Sequence, residues 1–224
     1  MPGWPADDAE LERAQDALGA ATPPPWRPDR QDPCIAACFV CFTRGVTGRG
    51  RRGEPGWAAA ALGAGGPVSV VLGEAGAPYR PGRLALREGP LLEAAVRALP
   101  DRPDVVLVDA TGRDHPRRAG LALHLGAVLE IPTVGVTHRA LLATGDWPPP
   151  TRDATAPLVL AGETVGAWLR IVAGARPLAV HAAWRTDVDA AVAVVRAATR
   201  GVRTPEPLRR ARRAARVARA QHGG

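Results

Sequence analysis

Lysine is absent from this chain: all 29 basic residues are arginine. Cysteine is nearly absent too, with Cys34, Cys38 and Cys41 crowded into eight positions, too few and too close for a disulfide framework. Aromatic residues make up 4% of the chain, and Tyr79 is the only tyrosine. No apolar run approaches the roughly 20 residues that a bilayer span needs, since Leu121–Val136 is broken by His124, Glu130 and Pro132. The first 21 residues carry Asp7, Asp8, Glu10, Glu12 and Asp16, the opposite of a basic signal peptide. These absences exclude membrane, secreted disulfide-rich and fibrous classes. The expectation is a cytoplasmic domain, and 224 residues suffice for a real core.

The net charge of +7 has the look of a nucleic-acid footprint, but it is unevenly placed. Residues 196–219 hold nine arginines against Glu206, giving +8, and the other 20 arginines face 21 acids, leaving −1. The excess belongs to one terminal segment.

Along the chain, residues 1–33 read as a short amphipathic helix (Asp7–Leu18) followed by a Pro-rich linker. A core domain is expected over 34–205 and an Arg-rich helix or tail over 206–224, with both ends loosely held. Cys34–Phe42 is an apolar run of strand length, and Thr43–Gly56 reads as a loop. Trp57–Leu62 and Pro67–Leu72 flank a Gly-rich turn as a hairpin. Leu84–Leu99 has helical spacing, Val105–Val108 is a strand ending on Asp109, Ala119–Leu129 a buried helix and Pro132–Val136 a strand. Thr164–Val172 and Leu178–Val180 read as strands, Asp187–Thr199 as a helix capped by Asp187, and Glu206–Ala220 as the last helix. An antiparallel meander followed by alternating helices and strands implies an α/β fold with a mixed sheet covered by helices.

A carboxylate at the carboxyl end of an apolar strand lies where α/β folds place ligands, although a solvated Asp109 satisfies the same pattern. Around it, DATGRDHPRR (Asp109–Arg118) brings together Asp114, His115, Arg117 and Arg118. Carboxylates hold hard cations and arginine forks hold phosphate, so the segment points to a phosphodiester site. Glu88 opens the helix that feeds the Asp109 strand, where the helix dipole alone also favours it. Tyr79 lies in Pro78-Tyr79-Arg80-Pro81-Gly82, a stiff loop able to wedge an aromatic ring into a base stack or to pack it on itself. The three cysteines read as small core residues, with Cys34 and Cys38 on one strand face and Cys41 on the other.

PYRPGRLALRE (Pro78–Glu88), VVLVDATGRDHPRR (Val105–Arg118) and IPTVGVTHRALL (Ile131–Leu142) together resemble the endonuclease V family. The resemblance extends more weakly to TPEP (Thr204–Pro207). It implies an RNase H-like sheet and a Mg²⁺-dependent (or Mn²⁺-dependent) endonuclease of DNA repair. Such an enzyme cuts DNA, or RNA in some members, on the 3′ side of deaminated adenine (inosine). It also implies a monomer in which Glu88 and Asp109 are catalytic metal ligands and Tyr79 is the wedge beside Gly82. Arg87, His115, Arg117 and His138 fall near the substrate, His138 where the family usually carries Lys. Two positions depart from the pattern: Phe39 stands where the family's first-strand Asp is expected, and Trp184 where an active-site His is expected. The alternative reading is therefore a catalytically impaired member acting as a nucleic-acid-binding module.

Overall fold

The computed structural model describes residues 3–45 and 48–222. Met1, Pro2, Val46, Thr47, Gly223 and Gly224, which fall in the predicted linker, loop and tail segments, lie outside the described residues. The elements in chain order are α1 (Asp8–Ala20), β1 (Ile35–Phe42), β2 (Pro55–Leu62), β3 (Val68–Glu74), α2 (Leu84–Arg97), β4 (Val105–Val108), α3 (Leu121–Leu129), β5 (Thr133–Thr137), β6 (Thr155–Leu160), β7 (Glu163–Leu169), β8 (Leu178–Ala182), α4 (Val188–Ala197) and α5 (Glu206–Gln221). The strands form one sheet in the order β3-β2-β1-β4-β5-β8-β7-β6. β1, β4 and β5 run parallel and the other pairings are antiparallel. The expected α/β fold with a mixed, helix-covered sheet is what the chain adopts.

Strand alternation divides the core in two. Ala36, Cys38, Val106 and Val108 face α1, α2 and α3, whereas Ile35, Ala37, Val105 and Leu107 face α4 and the start of α5. Cys41 joins Trp57 and Ala59 under the rest of α5. Burial on both faces explains why β2 carries Ala58–Ala61 despite the weak β-propensity of alanine.

β6 was not among the elements read from the sequence. It contains Pro157 and forms the sheet edge, where proline is tolerated. The β6–β7 turn is Ala161-Gly162, both at positive φ (50° and 82°), a hairpin geometry signalled more often by Asn-Gly. Among the described residues the terminal helices are packed on the body, contrary to the expectation of loosely held ends. Leu11, Gln15 and Leu18 of α1 are buried and α1 packs on α2 and α3. Leu208, Ala211 and Ala215 of α5 are fully buried against β1 and β2. No helix among the described residues is long and apolar enough to cross a membrane.

Candidate active site

Register sets the site. Cys38 of β1 pairs with Val108 of β4, so the next residues, Phe39 and Asp109, stand side by side at the carboxyl end of the parallel pair. Above them, a cavity of about 150 Å³ lies between the Pro78–Gly82 loop and the segment from Asp109 to His115. Pro81, Leu84, Leu121 and Leu141 give it apolar walls, with Gln15, Asp109, Thr111, His115 and Thr137 as polar points. Tyr79 lines the rim and is 47% exposed.

The loop that carries Tyr79 is pinned at Gly82. The Gly82 carbonyl accepts from the Gln15 amide at 3.0 Å and from His115 Nε2 at 3.0 Å. The Arg117 N–H donates to His115 Nδ1 at 3.2 Å, which leaves the ring proton on Nε2. Burial pushes the His115 pKa down, opposed by the Gly82 contact, so the ring is a neutral strut. Gly82 has φ +76°, and a Cβ there would sit 3.3 Å from His115 Nε2. Gln15 was not singled out from the sequence. Its signal was a polar residue on the apolar stripe Leu11–Gln15–Leu18 of α1.

Several predicted substrate residues serve other ends. Arg87 is buried, ion-paired with the equally buried Glu54, donates to the Ala77 carbonyl at 2.7 Å and lies 4.0 Å over the Phe42 ring. It is a strut of the α2–β2 junction rather than a nucleic-acid contact. Arg117 pairs with Asp16 at 2.8 Å and Glu12 at 2.9 Å, tying α1 to the body. Asp114 is fully buried and accepts the N–H groups of Leu141, Leu142 and Ala143 at 2.7–2.8 Å. Trp184 lies at the other end of the sheet. Its N–H and carbonyl bond to Thr133 at the start of β5, whereas Asp109 is level with the end of that strand. His138 does remain near the site: it is exposed and feels both Arg212 and Asp109, its pKa lowered first by desolvation.

Of the two predicted metal ligands, Glu88 lies close enough to Asp109 to feel its charge. Glu88 is half-buried, its pKa pushed up to about 7 by desolvation, against the pull of Arg87 and with a further rise from Asp109. Asp109, however, already has a cation. Arg212 of α5 meets Asp109 Oδ2 through Nη2 at 2.9 Å and Nε at 3.2 Å. The same guanidinium lies 5.8 Å from the Phe39 ring centroid, and that of Arg216 lies 5.5 Å from it. Among the described residues no group of three or more His, Cys, Asp or Glu side chains is arranged to hold a metal ion. A divalent ion within ~4 Å of the Arg212 guanidinium would meet a repulsion of about 8 kcal/mol at an effective dielectric near 20. Phe39 offers no donor, His115 is bonded through both ring nitrogens and Asp114 is committed to three backbone N–H groups; that leaves Glu88 and an Asp109 already paired with Arg212, a donor set that does not fit a divalent metal.

Comparison with known proteins accords with this architecture. The Endonuclease V family model matches residues 67–213, a stretch that begins after β1 and its Phe39. The Endonuclease V of Streptomyces avermitilis is 35% identical over 93% of this chain and 91% of its own length. A crystal structure of Endonuclease V from the same organism superposes with a TM-score of 0.85 at 32% identity, covering 100% of this chain and 98% of that one. Ciona intestinalis Endonuclease V, solved in complex with a 24mer DNA containing an inosine followed by a ribo-adenosine, shares the fold. Its TM-score is 0.76 at 17% identity, over 95% of this chain and 97% of that one. With the fold, the Tyr79 loop and the Asp109–Arg118 segment all in place, the chain belongs to the Endonuclease V family.

Proposed function

We propose that this protein recognises inosine in DNA by drawing the base into the cavity beside Asp109, with Tyr79 filling the gap left in the stack. The observation that carries the reading is that cavity: a small, mostly apolar slot with a few polar points, roofed by a loop pinned at Gly82 and edged by an exposed tyrosine. A base that leaves the helix is held by stacking and by hydrogen bonds to its edge. Apolar walls from Pro81, Leu84, Leu121 and Leu141 meet the first need, and Thr111, Thr137 and Gln15 offer polar groups for the second. Gln15 and His115 fix the loop in advance, so little ordering remains for binding. DNA is the partner of this reading, with RNA as the alternative strand, and the protein acts as a cytoplasmic monomer.

A second reading, Mg²⁺-dependent cleavage on the 3′ side of inosine, draws on Glu88 and Asp109 being retained and on the activity named for the relatives. The cation-paired Asp109 and the donorless Phe39 favour recognition without cutting. Fluorescence anisotropy with a deoxyinosine duplex and its undamaged match is the test. Preference for the deoxyinosine duplex is expected, with Tyr79→Ala weakening it about 5- to 150-fold, the range of one base–aromatic stack. Equal affinity for the two duplexes refutes the reading.

A further inference from the structure

We propose that Arg212 is the built-in cation of this site, standing where the family's fold would call for a divalent metal. With Arg216 it forms a metal-independent seat for a phosphodiester of the DNA strand whose base enters the cavity. The inference rests on the base-reading role above and assigns the backbone contact that accompanies it.

Three observations carry it. First, the Arg212 guanidinium spends Nε and one edge of Nη2 on a single Asp109 oxygen. Its remaining N–H donors form a planar fork suited to a phosphate oxygen pair. Asp109 lines the cavity, and the Arg212 side chain paired with it is 15% exposed, so the pair sits at the edge of the cleft and is not sealed in the core. Second, Phe39 is a platform. Both guanidiniums lie over its ring, and a cation over an aromatic face is stabilised without being neutralised. An aspartate here would have competed with phosphate for both arginines, whereas phenylalanine leaves their charge available. Third, the support is rigid. Arg212 and Arg216 are one turn apart on α5, where side chains share a face. The adjacent Ala211 and Ala215 are fully buried against the sheet. Arg219, one turn on, donates to the Phe42 carbonyl at 3.1 Å and fastens the helix beside β1.

The local charge favours an anion: Asp109 is answered by Arg212, the neighbouring Glu88, its pKa pushed up to about 7, is only partly ionised at neutral pH, Arg216 adds a further positive charge over Phe39, and exposed His138 adds a donor at the rim. A metal ion would bind the phosphate and also generate a nucleophilic hydroxide. A guanidinium supplies the first function and not the second, because it neither exchanges nor binds water as a Lewis acid. The site therefore holds the strand without breaking it, and chelators leave it intact.

The test combines DNA binding with a metal titration on the full-length protein. Anisotropy with a labelled deoxyinosine duplex is expected to give the same affinity, within about twofold, in EDTA and in Mg²⁺. Arg212→Gln is expected to weaken binding about tenfold and to reduce the salt slope by about one phosphate. Arg212→Lys, which keeps charge but loses the fork, falls between the two. Manganese followed by electron paramagnetic resonance, with no DNA present, is expected to stay free with the wild type and to be taken up by a Phe39→Asp/Arg212→Gln variant. Stoichiometric Mn²⁺ uptake by the wild type, binding that requires Mg²⁺, or a folded Arg212→Gln protein that binds like wild type each overturns the proposal. The undamaged duplex separates the two readings. Loss of inosine preference with the Arg212 and EDTA results intact refutes only base recognition, and retained preference with an indifferent Arg212 refutes only the phosphate seat.

Discussion

Replacing Arg87 by leucine separates a structural arginine from a nucleic-acid contact. Arg87 and Glu54 are 6% and 5% exposed at their side chains, and Glu54 has one other partner, the Arg51 N–H at 2.8 Å. Arg87→Leu leaves that carboxylate buried without its cation, strips the Ala77 carbonyl of its donor and removes the cation over Phe42. Breaking a buried pair from one side costs about 3–5 kcal/mol, which for a domain of this size lowers Tm by roughly 6–20 °C. Thermal melts followed by circular dichroism measure the effect. Removing both charges in Glu54→Gln/Arg87→Leu restores part of the loss, because the stranded charge is gone. The affinity of folded Arg87→Leu for the deoxyinosine duplex, measured well below its melting point, stays within about threefold of wild type, since a surface away from the phosphates adds no salt-dependent contact. An unchanged Tm together with a large loss of DNA affinity would refute the structural assignment and return Arg87 to the substrate.

Other consequences follow from the same geometry. Gly82→Ala forces a side chain into φ +76° and against His115; about 1–2 kcal/mol of stability is lost, and anisotropy shows reduced inosine preference. Deleting residues 206–224 uncovers the β1–β2 face that Leu208, Ala211 and Ala215 bury, so a loss of about 10 °C or more in Tm accompanies any loss of DNA binding. His115, His124 and His181 are buried with pKa values lowered from 6.5, desolvation being the leading cause in each. The unfolded chain therefore takes up protons first as pH falls. Their contribution is whole above pH 6.5 and declines below it by up to about 1.4 kcal/mol per pH unit per histidine. Urea titrations at pH 7.5 and 5.5 check this, and equal midpoints contradict it.

What sequence patterns reveal here is local. Val105–Val108 ending on Asp109, the Asp187 cap of α4, whose carboxylate accepts from the Ala190 N–H at 2.8 Å, and the stiff Pro78–Gly82 loop were all legible from neighbouring residues. Pairings across long separations were not. Arg212 and Asp109 are 103 positions apart, and nothing in an Arg-rich helix tells which guanidinium turns inward. For the same reason Arg87 and Arg117 read as substrate contacts, although their partners Glu54, Glu12 and Asp16 already claim them. The resemblance put Trp184 where an active-site His is expected, but the antiparallel run of β8 against β5 carries it to the far end of the sheet. The departure at Phe39 was visible from one residue; its meaning came only with Arg212 and Arg216 stacked upon it.

The surplus of arginine thus has two uses. Much of it is structural, with Arg87, Arg117 and Arg210 each bonded within the protein. A small part, on one face of α5, supplies the charge at Asp109.

Whether the site holds DNA without cutting it is measured by following one deoxyinosine duplex for both binding and cleavage, in EDTA and in excess Mg²⁺ or Mn²⁺. A bound, intact duplex is expected under every condition, preferred over its undamaged match. A nick on the 3′ side of the inosine that appears with the metal and disappears with the chelator would contradict it.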